Sequence, residues 1–178
     1  MNQNANNSIR NTARLNGFWG KIASCNVHAL KNSQLNHFKE VFKNNNVICL
    51  QETHGKPTTV KSITKRLGFK NSVFSLFHKQ ARGAAVLWRE GNLIAKEVDK
   101  NGRIAGVALE LNDCKINVIS AYAPNVDGSH ASWDTYLTFL TELELIADNL
   151  VEISETNNLL IMGDFNLILD PDLDSSSK

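Results

Sequence analysis

Five polar residues close apolar, strand-like runs in this chain. Asn26 follows KIASC, Glu52 follows VICLQ, Tyr122 follows NVISA, and Asp164 and Asn166 follow NLLIMG. Side chains along a strand alternate between its two faces. Alternation groups Asn26 with Ile22 and Ser24, and Glu52 with Ile48 and Leu50. It points Asp164 and Asn166 one way and Phe165 the other. Each alone has an ordinary reading: Asn26 or Asp164 in a turn, Glu52 as a solvated strand end, Tyr122 as a core aromatic with a wet hydroxyl. As a set they say more. A carboxylate where a buried strand stops is costly unless it is paired or holds a metal. Mg²⁺ takes one or two carboxylates, keeps several waters and accepts phosphate oxygens. An amide and a phenol nearby can orient those ligands, and an Asp two residues from an Asn can position an attacking water. The set suits metal-assisted hydrolysis of a phosphodiester.

The elements that must position these residues are legible as alternating runs. KIASCNV (21–27) and VICLQE (47–52) read as strands, the second apolar throughout and therefore covered on both faces. Between them, residues 31–44 put Leu35, Phe38, Val41 and Phe42 on one helical face. A basic helix over 58–69 follows, with Gly68 as its stop. Then come SVFSLF, GAAVLW, LIAKEVD, RIAGVALEL and CKINVISAY, strands with no helix between them. Asp99, Lys100, Asn101 and Gly102 form a corner with the Asn-Gly hairpin signal. A long helix runs from about Ser129 to Ser154, with Trp133, Leu137, Leu140, Leu143, Ala147 and Leu150 expected in the core. NLLIMG (158–163) is a last buried strand. Strands in the middle with helices at the flanks predict an α+β sandwich of packed sheets with helices outside.

A chain of 178 residues buries one core, and no second domain or repeat is present. Residues 1–18 read as a disordered lead-in and 19–178 as the domain. The lead-in has no hydrophobic core of a secretory signal, and no apolar run spans a membrane. A nuclear or cytoplasmic, unsecreted monomer is expected. Three cysteines without a CxxC pattern read as small buried hydrophobes, not as disulfide or zinc partners. Residues 1–100 carry 16 Lys/Arg against 5 Asp/Glu, and residues 101–178 carry 3 against 13. Such polarity fits a basic face for a polyanion beside an acidic metal site, or two halves that interleave and mix their charges. Lys56, Lys61, Lys65, Arg66 and Arg82 are candidate contacts to DNA phosphates, with a solvated helix face as the competing reading. Asp170, Asp172 and Asp174 alternate, but Ser175 stands where a calcium loop needs Gly.

SCNVHAL, CLQETHG, RGAAVLW, SAYAPN and IMGDFN, in this order, resemble the motifs of the endonuclease/exonuclease/phosphatase superfamily. QETH, YAPN and GDFN together look most like the apurinic-type endonuclease domain of LINE-type (non-LTR) retrotransposons, and GDFNLILDPDLDSSS resembles its continuation. The resemblance implies a four-layer αββα sandwich and a divalent-metal endonuclease that uses Mg²⁺, with Mn²⁺ as the alternative. Such an enzyme nicks one DNA strand so that a reverse transcriptase in the same polypeptide can prime. It implies that Asn26 supports the metal site and Glu52 is the metal ligand. Tyr122 contacts the scissile phosphate region, Asp164 orients the water, Asn166 supports phosphate and metal, and Asn125 of YAPN is a further phosphate contact.

Two departures accompany the resemblance. Asp174 is followed by Ser175 where the family has Arg. The sequence stops at Lys178, while the family continues to another Asp and a Ser-Asp-His triplet. The fold is therefore expected to be incomplete at its C-terminus, with open sheet edges. Removing a general base typically costs about 10²–10⁴ in rate, so weak or absent activity is expected of this chain alone. The competing readings are a non-catalytic metal- or DNA-binding remnant, an abasic-site repair endonuclease, and a phosphodiesterase acting on lipid headgroups. QETH with YAPN argues against the last.

Overall fold

The computed structural model describes residues 20–77 and 82–167. The lead-in and the Asp170–Asp172–Asp174 tail lie outside them. Strand β1 (Ile22–Asn26) leads through a short 3-10 turn to helix α1 (Leu35–Phe42) and strand β2 (Val47–Gln51). Helix α2 (Pro57–Arg66) opens on Pro57, whose missing N–H costs nothing in a first turn. Strands β3 (Asn71–Ser75), β4 (Ala84–Trp88), β5 (Asn92–Val98), β6 (Ile104–Leu111) and β7 (Cys114–Tyr122) follow without an intervening helix, as expected. Helix α3 (His130–Ser154) and strand β8 (Leu159–Asp164) complete the described chain.

The strands form two four-stranded sheets, ordered β1-β2-β4-β3 and β5-β6-β7-β8. Each sheet is antiparallel except at one edge, where β1 runs parallel to β2 and β8 parallel to β7. Three apolar clusters glue four layers. Leu35, Phe38 and Phe42 of α1 and Val60 and Ile63 of α2 pack on Ile48, Leu50 and Leu87 of the first sheet. Val47, Cys49, Val86, Val107, Leu109 and Val118 fill the space between the sheets. Ile104, Ala108, Ile119 and Ala121 meet α3 on the far side. The result is the expected α+β, four-layer αββα sandwich. Every residue of β2 is buried, as its unbroken apolar run requires. The three cysteines are free, and burial pushes the Cys49 thiol up to about 12.

The core face of α3 differs from expectation. Leu143, Ala147 and Leu150 are buried, but Trp133, Leu137 and Leu140 are 44%, 56% and 39% exposed. Tyr136, Phe139 and Ile146 take their place. The helix carries two adjoining apolar stripes that merge beyond Leu143, and spacing alone does not choose between them. A polar contact does: the Tyr136 hydroxyl donates to the Phe165 carbonyl at 3.1 Å, which brings that stripe against the end of β8. Ser129 caps the helix by accepting from the Ser132 N–H at 3.2 Å.

Candidate active site

The two parallel edge pairs face each other across the sandwich, and their carboxyl ends meet. The register sets Asn26 beside Gln51 in one pair, and Tyr122 beside Asp164 in the other. Cys114, Ile116 and Val118 of β7 and Leu160 and Met162 of β8 lie in the space between the sheets. Alternation from them carries Tyr122 and Asp164 inward, over the buried seam.

Asn26 joins the halves. Its Nδ2 donates to Glu52 Oε1 at 2.8 Å and to Asp164 Oδ2 at 2.9 Å. Its Oδ1 accepts from the His28 backbone N–H at 3.1 Å. With both amide hydrogens spent on carboxylates from opposite sheets, Asn26 positions the pair. The Asn166 backbone N–H donates to Asp164 Oδ1 at 3.1 Å, and its Nδ2 to the Ala123 carbonyl at 2.7 Å. All five residues expected at the site are thus brought together. Asn125 is exposed just beyond it.

Glu52 reaches the cluster by a route that alternation did not foresee. Ile48 and Leu50 belong to the helix-facing core, whereas Ile22 of the Asn26 strand belongs to the inter-sheet core. A Glu52 in phase with Ile48 and Leu50 would turn away from Asn26. Its φ of 53° re-aims the side chain instead. Asn166 also stands in this region, at 49°. Left-handed non-glycine residues are costly and gather where surrounding structure holds them for a function. Here the loops are laced together: Ala29 N–H donates to the Glu52 carbonyl at 2.7 Å, and His54 N–H to that of Arg82 at 2.8 Å. Gly83, at φ 109°, approaches so closely that a Cβ would overlap Thr53 Oγ1. Gly163 lies against the Ala121 carbonyl where any side chain would collide with backbone, so β8 seats Asp164 beside Tyr122 only with Gly there.

Beneath the carboxylates is a buried polar seam that sequence reading missed. Gln51 Nε2 donates to Ser120 Oγ at 2.9 Å and to Ser24 Oγ at 3.2 Å, and Ser120 Oγ donates to the Leu50 carbonyl at 3.0 Å. The signal was polar residues inside otherwise apolar strands. His28 was missed too: its Nδ1 lies 3.1 Å from Glu52 Oε2, and His54 Nε2 lies 3.7 Å from the same oxygen. Each sits two residues from a predicted site residue.

Burial pushes the Glu52 carboxyl up, but hydrogen bonding from Asn26, His28 and Tyr122 outweighs it and holds the group below its ordinary value. The Tyr122 phenol is raised by burial, and further by its hydrogen bond to Glu52 and the negative charge there. The site therefore keeps an ionised carboxylate beside a protonated phenol at neutral pH. Among the described residues no three His, Cys, Asp or Glu side chains form a metal cage. Two carboxylates on one amide are a sparser donor set, suited to a hard ion that keeps its waters. Lys56, Lys61 and Lys65 are exposed, the last two on the outer helix α2, and make no bond to the cluster among the described residues. Arg66 on the same helix bonds Asn32 Oδ1 at 2.7 Å.

Two facing sheets with carboxylate, amide and phenol gathered over the seam define an αββα sandwich with a polar site at the carboxyl ends of its edge strands. The chain belongs to the Endonuclease/Exonuclease/phosphatase family, whose model matches residues 15–175. No curated protein matches the chain. Solved structures do. The 3′ phosphatase NExo from Neisseria, bound to product DNA hairpin, superposes with a TM-score of 0.67 at 19% identity, over 86% of this chain and 62% of its own. An AP endonuclease from Archaeoglobus fulgidus gives 0.61 at 21%, over 84% and 58%. Sphingomyelinase C from Streptomyces griseocarneus gives 0.64 at 14%, over 83% and 64%. The chain thus spans less than two thirds of each. At these identities the likeness shows the fold. Among the described residues no helix is long and apolar enough to cross a membrane.

Proposed function

We propose that the cluster is the metal-dependent phosphodiesterase site of a DNA-nicking endonuclease of the LINE-type branch, working beside a reverse transcriptase in a longer polypeptide. One observation carries the reading: a single amide, Asn26, holds carboxylates from both sheets at 2.8 and 2.9 Å at the mouth of the seam. Glu52, with Asn26 behind it, would hold Mg²⁺. The ion's contribution would be to stabilise charge developing on the phosphate oxygens. Asp164 orients the attacking water through the lone pairs that its oxygens keep beyond the bonds from Asn26 and Asn166. Tyr122, kept protonated and donating to Glu52, borders the phosphate, with Asn125 at its rim. The combination of QETH and YAPN supports a DNA substrate over a lipid headgroup. Both histidines at the site face Glu52, so no described His–Asp pair serves as a general base, and slow turnover is expected of the chain alone.

The test is nicking of supercoiled plasmid in Mg²⁺ or EDTA, beside Glu52→Ala and with a cooperative melt as the folding control. The reading expects slow nicking that both EDTA and the substitution remove. A folded chain that binds Mg²⁺ but never nicks is a binding-only remnant. Hydrolysis of sphingomyelin without nicking would replace the DNA substrate. Faster cutting of abasic than of intact duplex would place the chain with repair enzymes.

A further inference from the structure

Beside Tyr122 lies a cavity of about 240 Å³ lined by Arg82, Asn101, Arg103, Thr135, Thr138 and Glu142. It is built by three regions: the loop before β4, the β5–β6 corner, and the outward face of α3. Its two arginines differ from the others described. Arg89 donates to the carbonyls of Phe42, Asn45 and Gly68 and stacks on Phe69, so it is structural. Arg66 is held by Asn32. Arg103, by contrast, donates one bond, at 3.0 Å to the Tyr122 carbonyl, and Arg82, which also lies over the Phe77 ring at 4.7 Å, donates one, at 3.4 Å to the Asn101 carbonyl. Neither forms an ion pair with a carboxylate among the described residues. A guanidinium carries five N–H donors in a planar fork that fits phosphate. Burial and the adjacent Arg82 charge push Arg103 down from its ordinary value, a repulsion that a bound anion would relieve.

Glu142 is the one carboxylate on the wall. Burial, and then the charge of Asp99, raises it, while its bond to Asn101 works the other way. The Thr135 and Thr138 hydroxyls donate to their own helix, at 2.9 and 2.8 Å, leaving the two arginines as the free donors. Arg103 is also fixed in place. The buried Asp99 carboxylate accepts from the backbone N–H groups of Asn101, Arg103 and Ile104 at 3.0, 2.9 and 2.8 Å, and from the Ser75 hydroxyl. Its guanidinium carbon sits 5.3 Å from the Tyr122 ring centroid, so an anion held there is a near neighbour of whatever Tyr122 touches.

We propose that Arg82 and Arg103 form a second phosphate subsite, which grips a backbone phosphate of DNA flanking the one at the Asn26–Glu52–Asp164 cluster. The subsite rests on the DNA reading above and gives it a register: one phosphate at the carboxylates, another at the arginines. The protein–DNA contact is electrostatic and sequence-independent.

The experiment is fluorescence anisotropy of a labelled duplex in EDTA, across a salt series, with the full chain. Variants are Arg82→Gln, Arg103→Gln and Thr138→Glu, the last an exposed position that places a negative charge in the cavity without touching an arginine. Lys39→Gln, at an exposed position on helix α1, is the control, and each variant must melt cooperatively. Each arginine variant is expected to lower the slope of log K against log salt by up to about 0.9, the value for the one phosphate the pair shares. Thr138→Glu should weaken binding at least as much, while Lys39→Gln leaves it near wild type. Wild-type binding with all three variants unchanged overturns the subsite and leaves the DNA reading standing. No DNA binding by the wild type overturns both. A parallel titration with inorganic phosphate separates the sources: phosphate binding lost in the arginine variants while DNA affinity holds would assign the pocket to a free phosphate and overturn the DNA register.

Discussion

The two parallel edge pairs, β1–β2 and β7–β8, do the same job by different means. In β7–β8 the site residues are simply the next inward positions of regular strands, and Tyr122 and Asp164 are register partners. In β1–β2 the strand ends one residue early, and Glu52 enters the site through a left-handed turn. The first arrangement places Tyr122 and Asp164 without backbone strain, which on this side is confined to Asn166 beyond the strand, but it demands a very close approach, which Gly163 provides. The second tolerates ordinary residues in the strand, and loop hydrogen bonds hold the strained turn instead. A site residue delivered by a strand depends on sheet register; one delivered by a turn depends on its loop.

Breaking the strand side should cost most. Gly163→Ala drives a Cβ into the Ala121 backbone, and a loss of about 4 kcal/mol or more is expected, read as a collapsed melting transition. The matching position in the other pair is Cys25, opposite Leu50, and Cys25→Ala should cost only about 1 kcal/mol. Equal losses would remove the distinction.

Next in size is Asp99→Ala. It strips three backbone donors and Ser75 of their acceptor, for about 2–4 kcal/mol by chemical denaturation. Arg103 should lose its fixed position along with that stability. Asn26→Ala is expected to cost about 1 kcal/mol in metal-free buffer, because its two bonds go to groups that water can reach. Its larger consequence is to leave Glu52 and Asp164 unbridged, which should weaken Mg²⁺ binding by more than tenfold in calorimetry.

The smallest effects are in pH. The folded Glu52 carboxyl lies below its ordinary value, so its stabilisation is present above the ordinary carboxylate range, about pH 4.3, and is lost as pH falls through the folded value. Tyr122 is raised, so its contribution is present below about pH 10 and is lost as pH climbs through the folded value. Glu52→Gln should flatten the acid limb of a stability profile and Tyr122→Phe the alkaline limb. An unchanged acid limb in Glu52→Gln would mean that the turn does not hold the carboxylate as described.

Much of this was legible before the structure. The apolar runs named the eight strands and three helices, since burial on one or both faces leaves a direct period in sequence. The site residues were legible as polar ends of those runs. What failed was phase. Glu52 was assigned the wrong face because alternation stops applying at a left-handed residue, and nothing in QETH marks that conformation. Trp133, Leu137 and Leu140 were assigned to the core because two helical stripes satisfy the same spacing, and the choice rests on a contact with Phe165, far away in sequence. Arg103 leaves no signal in the sequence and Asp99 reads there only as part of a turn, because their importance comes from the corner that gathers them.

The most direct test of the central claim is calorimetric titration of Mg²⁺ into the folded chain and into Glu52→Gln and Asn26→Ala. Saturable binding that Glu52→Gln abolishes and Asn26→Ala weakens is the expected result. Binding that survives in both variants, or no binding to the folded wild type, would contradict the assignment of this cluster as the metal site.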